Sequence, residues 1–166
     1  MWLLNEKDSV YLRDMAPNEK LFKKPYAKEL LKIAENDLFT GQALAKTNGV
    51  RKETVLFHIE QAIEKSLKAV LCHKGQPIPF IHDLYALVQK FDGKALPPGG
   101  YALHDLTPFA SIRRYEEGNY IIDEQDILHA LKAAEDVLSW ARQEIAKWET
   151  LLDFIQKKFQ MISGKR

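Results

Sequence analysis

Between Ile127 and Ile162, apolar side chains recur at alternating spacings of four and three: Ile127, Leu131, Ala134, Leu138, Ala141, Ile145, Trp148, Leu152, Ile155, Phe159 and Ile162. No proline or glycine interrupts the run. A helix places such positions on one side, and the heptad spacing predicts a single C-terminal helix. Asp123 is a good N-cap for it. At 1.5 Å per residue the helix would be roughly 58 Å long, against roughly 35 Å for the first two helices. Its end would then overhang any bundle and expose Trp148, Leu152, Ile155 and Phe159. Such an apolar run needs cover, either from residues 1–24 or from a second subunit. A break near Lys147–Thr150 that folds the tail back is the alternative.

The rest of the chain shows no strand-like alternation, internal repeat or low-complexity tract. A short helix is expected near Asp8–Met15, followed by a linker. Pro25 suits a helix start, and Leu30, Leu31, Ala34, Leu38 and Ala45 carry a helix to about Thr47, where Asn48–Gly49 stops it. A second helix runs from about Arg51 to His73 and ends at Lys74–Gly75. Gln76–Ile81 holds two prolines and reads as a loop. A third, shorter helix follows His82–Asp83, carrying Leu84, Leu87, Val88 and Phe91. Asp92–Gly100 is the longest loop. A fourth helix is expected over Leu103–Tyr115, and Glu116–Ile122 is a break. The prediction is all-α: an antiparallel four- to five-helix up-and-down bundle with a long C-terminal helix. Residues 1–24 form an N-terminal extension, 25–146 the bundle and 147–166 a helical extension.

Length and composition agree with this. The 166 residues suit one domain with a sizeable core, and 46% apolar content is ordinary for a globular chain. The 24 Lys and Arg nearly balance the 23 Asp and Glu, so any site for nucleic acid must be a local patch. Cys72, the single cysteine, excludes an internal disulfide framework and fits a reducing cytoplasm. MWLLNEKDS lacks a basic region before an apolar run and is not expected to be a signal peptide. No window is apolar enough for a membrane span. A soluble, cytoplasmic protein is expected.

The second helix carries the chemistry. At about 100° per residue, Leu56, Ile59, Ile63, Leu67, Val70 and Leu71 share an arc of roughly 120° and form a core stripe. His58, Gln61, Lys65, Lys68 and Cys72 gather in a separate arc of roughly 80°. A column of imidazole, amide and ammonium groups offers several donors to a phosphate; the plainer reading is an ordinary solvated face. Glu60 projects into the apolar arc and Glu64 lies at its edge. A carboxylate turned to a core costs several kcal/mol unless paired, so each should meet a cation or donor from another helix. Alternatively, Glu60 reaches back to solvent.

Two further clusters stand out. Asp83, in His82-Asp83-Leu84, can cap the third helix, and capping explains most of the pair. Arg113-Arg114-Tyr115 closes the fourth helix, where two cations are favourable without any function. In the functional reading one arginine reaches Glu60 or Glu64 and the other faces an anion. The five histidines lack zinc-site pairings, so no metal is expected. There is no glycine-rich phosphate loop and no serine framed as a nucleophile, and no cofactor is expected. Cys72 reads as packing rather than nucleophile.

Phe57-His58, Gln61-Ala62-Ile63-Glu64-Lys65 and Leu67-Lys68-Ala69 in one helix resemble the HEPN domain family. His82-Asp83-Leu84, Arg114-Tyr115 and Asp37-Leu38 support the resemblance, which covers about residues 25–145. It implies a helical bundle that commonly dimerises, and often a minimal nucleotidyltransferase partner in toxin–antitoxin or defence pairs. Some members bind nucleotides. Others are metal-independent ribonucleases that use an Arg followed, after four to six residues, by a His. Here the sixth residue after Arg113 is followed by Tyr120, and after Arg114 by Ile121. A tyrosine phenol, with a free pKa near 10, is a poor base at neutral pH. The expected function is therefore a HEPN module binding a nucleotide or RNA phosphate through His58, Lys65, Lys68, Arg113 and Arg114. Gln61, Glu64, His82, Asp83 and Tyr115 support it. A homodimer and a nucleotidyltransferase partner are expected. A metal-independent ribonuclease toxin and a structural dimerisation module remain alternatives, and whether the chain is an enzyme stays open.

Overall fold

The computed structural model describes residues 18–91, 96–110 and 121–163, with side chains through residue 147 and at Lys158. Within these the chain is all-α apart from one minimal ladder. Helices α1 (Tyr26–Ala45) and α2 (Lys52–His73) form an antiparallel hairpin. A short helix α3 (Leu84–Val88), a 3-10 helix (Gly100–Leu106) and α4 (Thr107–Ala110) follow. The long α5 (Glu124–Ser163) closes the bundle.

α2 lies at the centre, packed by α1, α5, α4 and α3. The predicted core stripe Leu56, Ile59, Ile63, Leu67, Val70 and Leu71 is buried throughout. Burial extends well beyond that stripe, to Ala62, Ala69 and Cys72. Burial pushes the Cys72 thiol up, and its Sγ contacts the Lys23 carbonyl at 3.5 Å, which suits a packing role. Small residues permit the α1–α2 approach: a Cβ on Gly41 would stand 3.1 Å from Ile59 Cγ1.

Local chemistry sets the boundaries. α2 ends in a Schellman motif, with Gly75 N–H bonded to Cys72 O at 3.0 Å and Gln76 N–H to Leu71 O at 2.9 Å. Gly75 takes φ +70° there, a conformation open to glycine. Asp83 caps α3, its Oδ1 accepting from Tyr85 N at 2.9 Å and Ala86 N at 3.2 Å. At the start of α5 the Asp123 and Asp126 side chains accept reciprocally from each other's backbone N–H, both at 2.9 Å.

Three expectations are modified. No α-helix begins at Leu103: that stretch is a 3-10 helix through Leu106, and the α-helix starts at Thr107. Pro108 has no N–H to bond the His104 carbonyl, so an α-helical ladder cannot pass through it. The loop Gln76–Ile81 contains β2 (Ile78–Pro79), which pairs antiparallel with β1 (Glu19–Lys20). This ladder is too short to show as alternation. In α5 the buried set is Ile127, Ala130, Ala134, Val137, Leu138, Ala141 and Ile145, while Leu131 is only partly buried. The bundle-facing stripe is broader than a heptad seam, as fits a helix packed against several neighbours.

α5 runs unbroken through Lys147–Thr150, so the tail is not folded back there. What covers Trp148, Leu152, Ile155 and Phe159 lies outside the described side chains. The predicted helix at Asp8–Met15 lies outside the described residues altogether. No helix among those described is long and apolar enough to cross a membrane.

Gly41→Val should lower unfolding free energy by about 1–3 kcal/mol, because the added methyls meet Ile59 and part α1 from α2. Urea denaturation compared with wild type measures this; an unchanged midpoint would show that the helices can separate at no cost.

Candidate functional site

Glu64 is the centre of the candidate site. It is fully buried in α2, and its two oxygens are both engaged. Oε1 accepts from Lys65 Nζ at 2.7 Å and from Lys68 Nζ at 2.9 Å. Oε2 lies 2.7 Å from His82 Nδ1. The lysines come from α2 itself, one and four residues on. The histidine comes from the loop entering α3, which Asp83 anchors to the helix N-terminus. Burial by itself would raise the Glu64 carboxyl, but Lys65 and Lys68 together outweigh it and hold the group below the ordinary carboxylate range.

The network continues inward. Lys65 Nζ also donates to Gln61 Oε1 at 2.7 Å, and Gln61 Nε2 donates to Glu60 Oε2 at 2.8 Å. Glu60 is fully buried and does not reach solvent. Its Oε1 has no hydrogen-bond partner among the described residues. Burial first, and the neighbouring Glu64 charge second, push its carboxyl up to about 8, so it is protonated at neutral pH. The expectation that both glutamates pair with another helix is not met among the described residues: His82 reaches Glu64 from the loop before α3, and the other partners are neighbours on α2. Long lysine stems can fold back over one helical turn, and this makes the pairing local.

These groups open into a cleft of about 240 Å³ lined by Phe22, Tyr26, Leu30, Glu64, Lys65, Lys68, Ile78, Phe80 and His82. An ammonium has three donors. Lys65 spends two on Gln61 and Glu64; Lys68 spends two on Glu64 and the Ile81 carbonyl, the latter at 2.9 Å. Each retains one donor, and His82, well exposed, retains its Nε2. Two ammonium groups against one carboxylate leave the floor of the cleft positive. The chemistry of such a floor is anion binding, with an imidazole in reach for proton transfer.

Of the residues expected to contact an anion, Lys65 and Lys68 are brought together, and His82 joins them. His58 is placed elsewhere, its Nδ1 3.3 Å from Asp37 Oδ1 on α1, and it does not line the cleft. Gln61 and Glu64 hold the lysines, and Asp83 holds α3. Arg113, Arg114, Tyr115 and Tyr120 lie outside the described residues. The aromatic wall of Phe22, Tyr26 and Phe80 was missed by sequence reasoning. Its only signal is the aromatic residues of LFKKPY and PIPFIHD, and nothing short of the β1–β2 pairing puts the two segments side by side. Among the described residues, no group of three or more His, Cys, Asp and Glu could hold a metal ion.

Residues 27–145 match the HEPN domain family. The crystal structure of TT1696 from Thermus thermophilus superposes with a TM-score of 0.60 at 19% sequence identity, over 72% of this chain and 98% of that one. At that identity the likeness is one of fold. No curated protein gives a significant match.

The two glutamates should give opposite pH dependences. Because the Glu60 carboxyl is raised, its contribution is full below the unfolded value near 4.5 and is lost as pH rises through about 8. Glu64, being lowered, contributes above its unfolded value and loses that contribution as pH falls. Glu60→Gln should therefore remove the alkaline loss, gaining about 2–4 kcal/mol over wild type at roughly pH 9 and little at about pH 5. Urea unfolding across that pH range tests this; a gap that stays constant with pH would rule out a protonated Glu60.

Proposed function

The chain belongs to the HEPN domain family, and we propose that it binds a phosphate group of a nucleotide or RNA in the cleft over Glu64. One observation carries this reading: Lys65 and Lys68 are locked by a shared buried carboxylate with a donor to spare on each, and His82 stands beside them. Holding the ammonium groups in place beforehand reduces the ordering cost of binding. Charge-assisted donors are the strong ones for phosphate oxygens. Arg113 and Arg114 are proposed to add cations, and His58 to act on the neighbouring α1–α2 surface with Asp37. Family membership supports a homodimer working with a minimal nucleotidyltransferase partner, in the manner of toxin–antitoxin or defence pairs.

A second reading, metal-independent RNA cleavage, is favoured by the Glu64–His82 pair. A carboxylate at Nδ1 fixes the imidazole tautomer and leaves Nε2 for proton transfer. RNA incubated with the protein in EDTA should then be cut by wild type and not by His82→Asn; intact RNA across varied sequences would exclude it.

Lys65→Ala should weaken ATP or GTP binding about tenfold, and added salt should weaken the wild-type complex. Lys68→Ala should weaken it as well, with some loss of stability because Glu64 loses a partner. Unchanged titration curves for both variants would remove the proposal.

A further inference from the structure

The cleft has a second chemistry that phosphate binding leaves unused. Its wall is aromatic, and the ring beside the cationic floor is exposed. Phe22 is already engaged: Tyr26 stacks on it at 4.6 Å and 16°, and Lys20 Nζ sits 5.2 Å from its centroid. Phe80 meets Phe22 edge-on, at 6.4 Å and 81°, and remains 60% exposed. A singly exposed phenylalanine is ordinary on a protein surface; what sets Phe80 apart is that its exposed ring lines the same cleft as Lys65, Lys68 and His82.

Phe80 is also tied to the cation floor. It begins the segment Phe80-Ile81-His82, in which the Ile81 carbonyl accepts from Lys68 and the His82 imidazole meets Glu64. Its own N–H bonds to the Asn18 carbonyl at 2.8 Å, beside the β1–β2 ladder. Ring, carbonyl and imidazole therefore sit at fixed places on one short strand end. Phe80, Lys65, Lys68 and His82 line one cleft, so a planar aromatic group on Phe80 and a phosphate on the cations would share it. At about 240 Å³ the cleft is smaller than the usual ligand pocket, which runs from roughly 300 Å³ upward, so it has room for part of one such unit and none for a large cofactor.

We infer that Phe80 is a nucleobase platform, and that the cleft recognises a single nucleotide unit through base and phosphate together. The inference rests on the anion reading of the Lys65–Lys68–His82 floor and adds the base to it. The unit can come from a free mononucleotide or from a single strand, because either offers a base face and a phosphate.

Calorimetric titration of the full chain with AMP, ribose 5-phosphate, inorganic phosphate and a short single-stranded RNA separates these contributions. AMP should bind about tenfold or more tightly than ribose 5-phosphate, as base stacking on an aromatic ring contributes that much. Phe80→Ala and Phe80→Leu should abolish this advantage and leave ribose 5-phosphate binding unchanged. Phe80→Trp should keep it. Lys65→Ala should weaken both ligands alike. A strand bound more tightly than AMP, with the same dependence on Phe80, supports the platform and identifies nucleic acid as the source; AMP bound at least as tightly supports it with a free nucleotide. Equal affinity for AMP and ribose 5-phosphate in wild type overturns the platform and leaves the anion site standing. Failure of every phosphate to bind overturns both.

Discussion

Everything in the site depends on a carboxylate that the bundle takes out of water. Glu64 is fully buried in α2, where an unpaired charge would cost several kcal/mol. The fold meets that cost with two ammonium groups and an imidazole, and in doing so fixes all three. Their positions are thus set by a requirement of folding, and they are held before any ligand arrives. A surface lysine pair of the same sequence spacing would have no such restraint.

The same constraint explains why the two glutamates differ. Glu60 and Glu64 are one turn apart on the same buried helix, and both lysines reach Glu64. Glu60 receives only the Gln61 amide, so it takes the neutral form instead. Two adjacent buried charges would repel each other; one charged and one protonated carboxyl is the arrangement that burial and repulsion together favour.

Most of the fold was legible from the residues. The uninterrupted apolar recurrence after Asp123 required a long helix, and the core stripe of α2 was read position by position. Glycine and aspartate marked the ends: Gly75 closes α2, and Asp83 and Asp123 open later helices. What failed were features smaller than a helical turn or a period. A two-residue ladder carries no alternation, and the 3-10 stretch before Thr107 follows from one missing N–H at Pro108. In α5, whether Leu131 or Val137 faces the bundle depends on which neighbours are present.

Of the site, the sequence by itself determined that an imidazole, an amide, two lysines and two carboxylates share one helix, since helical periodicity fixes which residues are neighbours over one or two turns. It determined the family as well, through the order of those residues. Tertiary structure alone decided which of them act together. His82 arrives from another segment to complete Glu64, whereas His58 is drawn to Asp37. Phe22 and Phe80 meet because a short ladder brings distant segments side by side. Such pairings depend on contacts between residues far apart in the chain, and no local period encodes them.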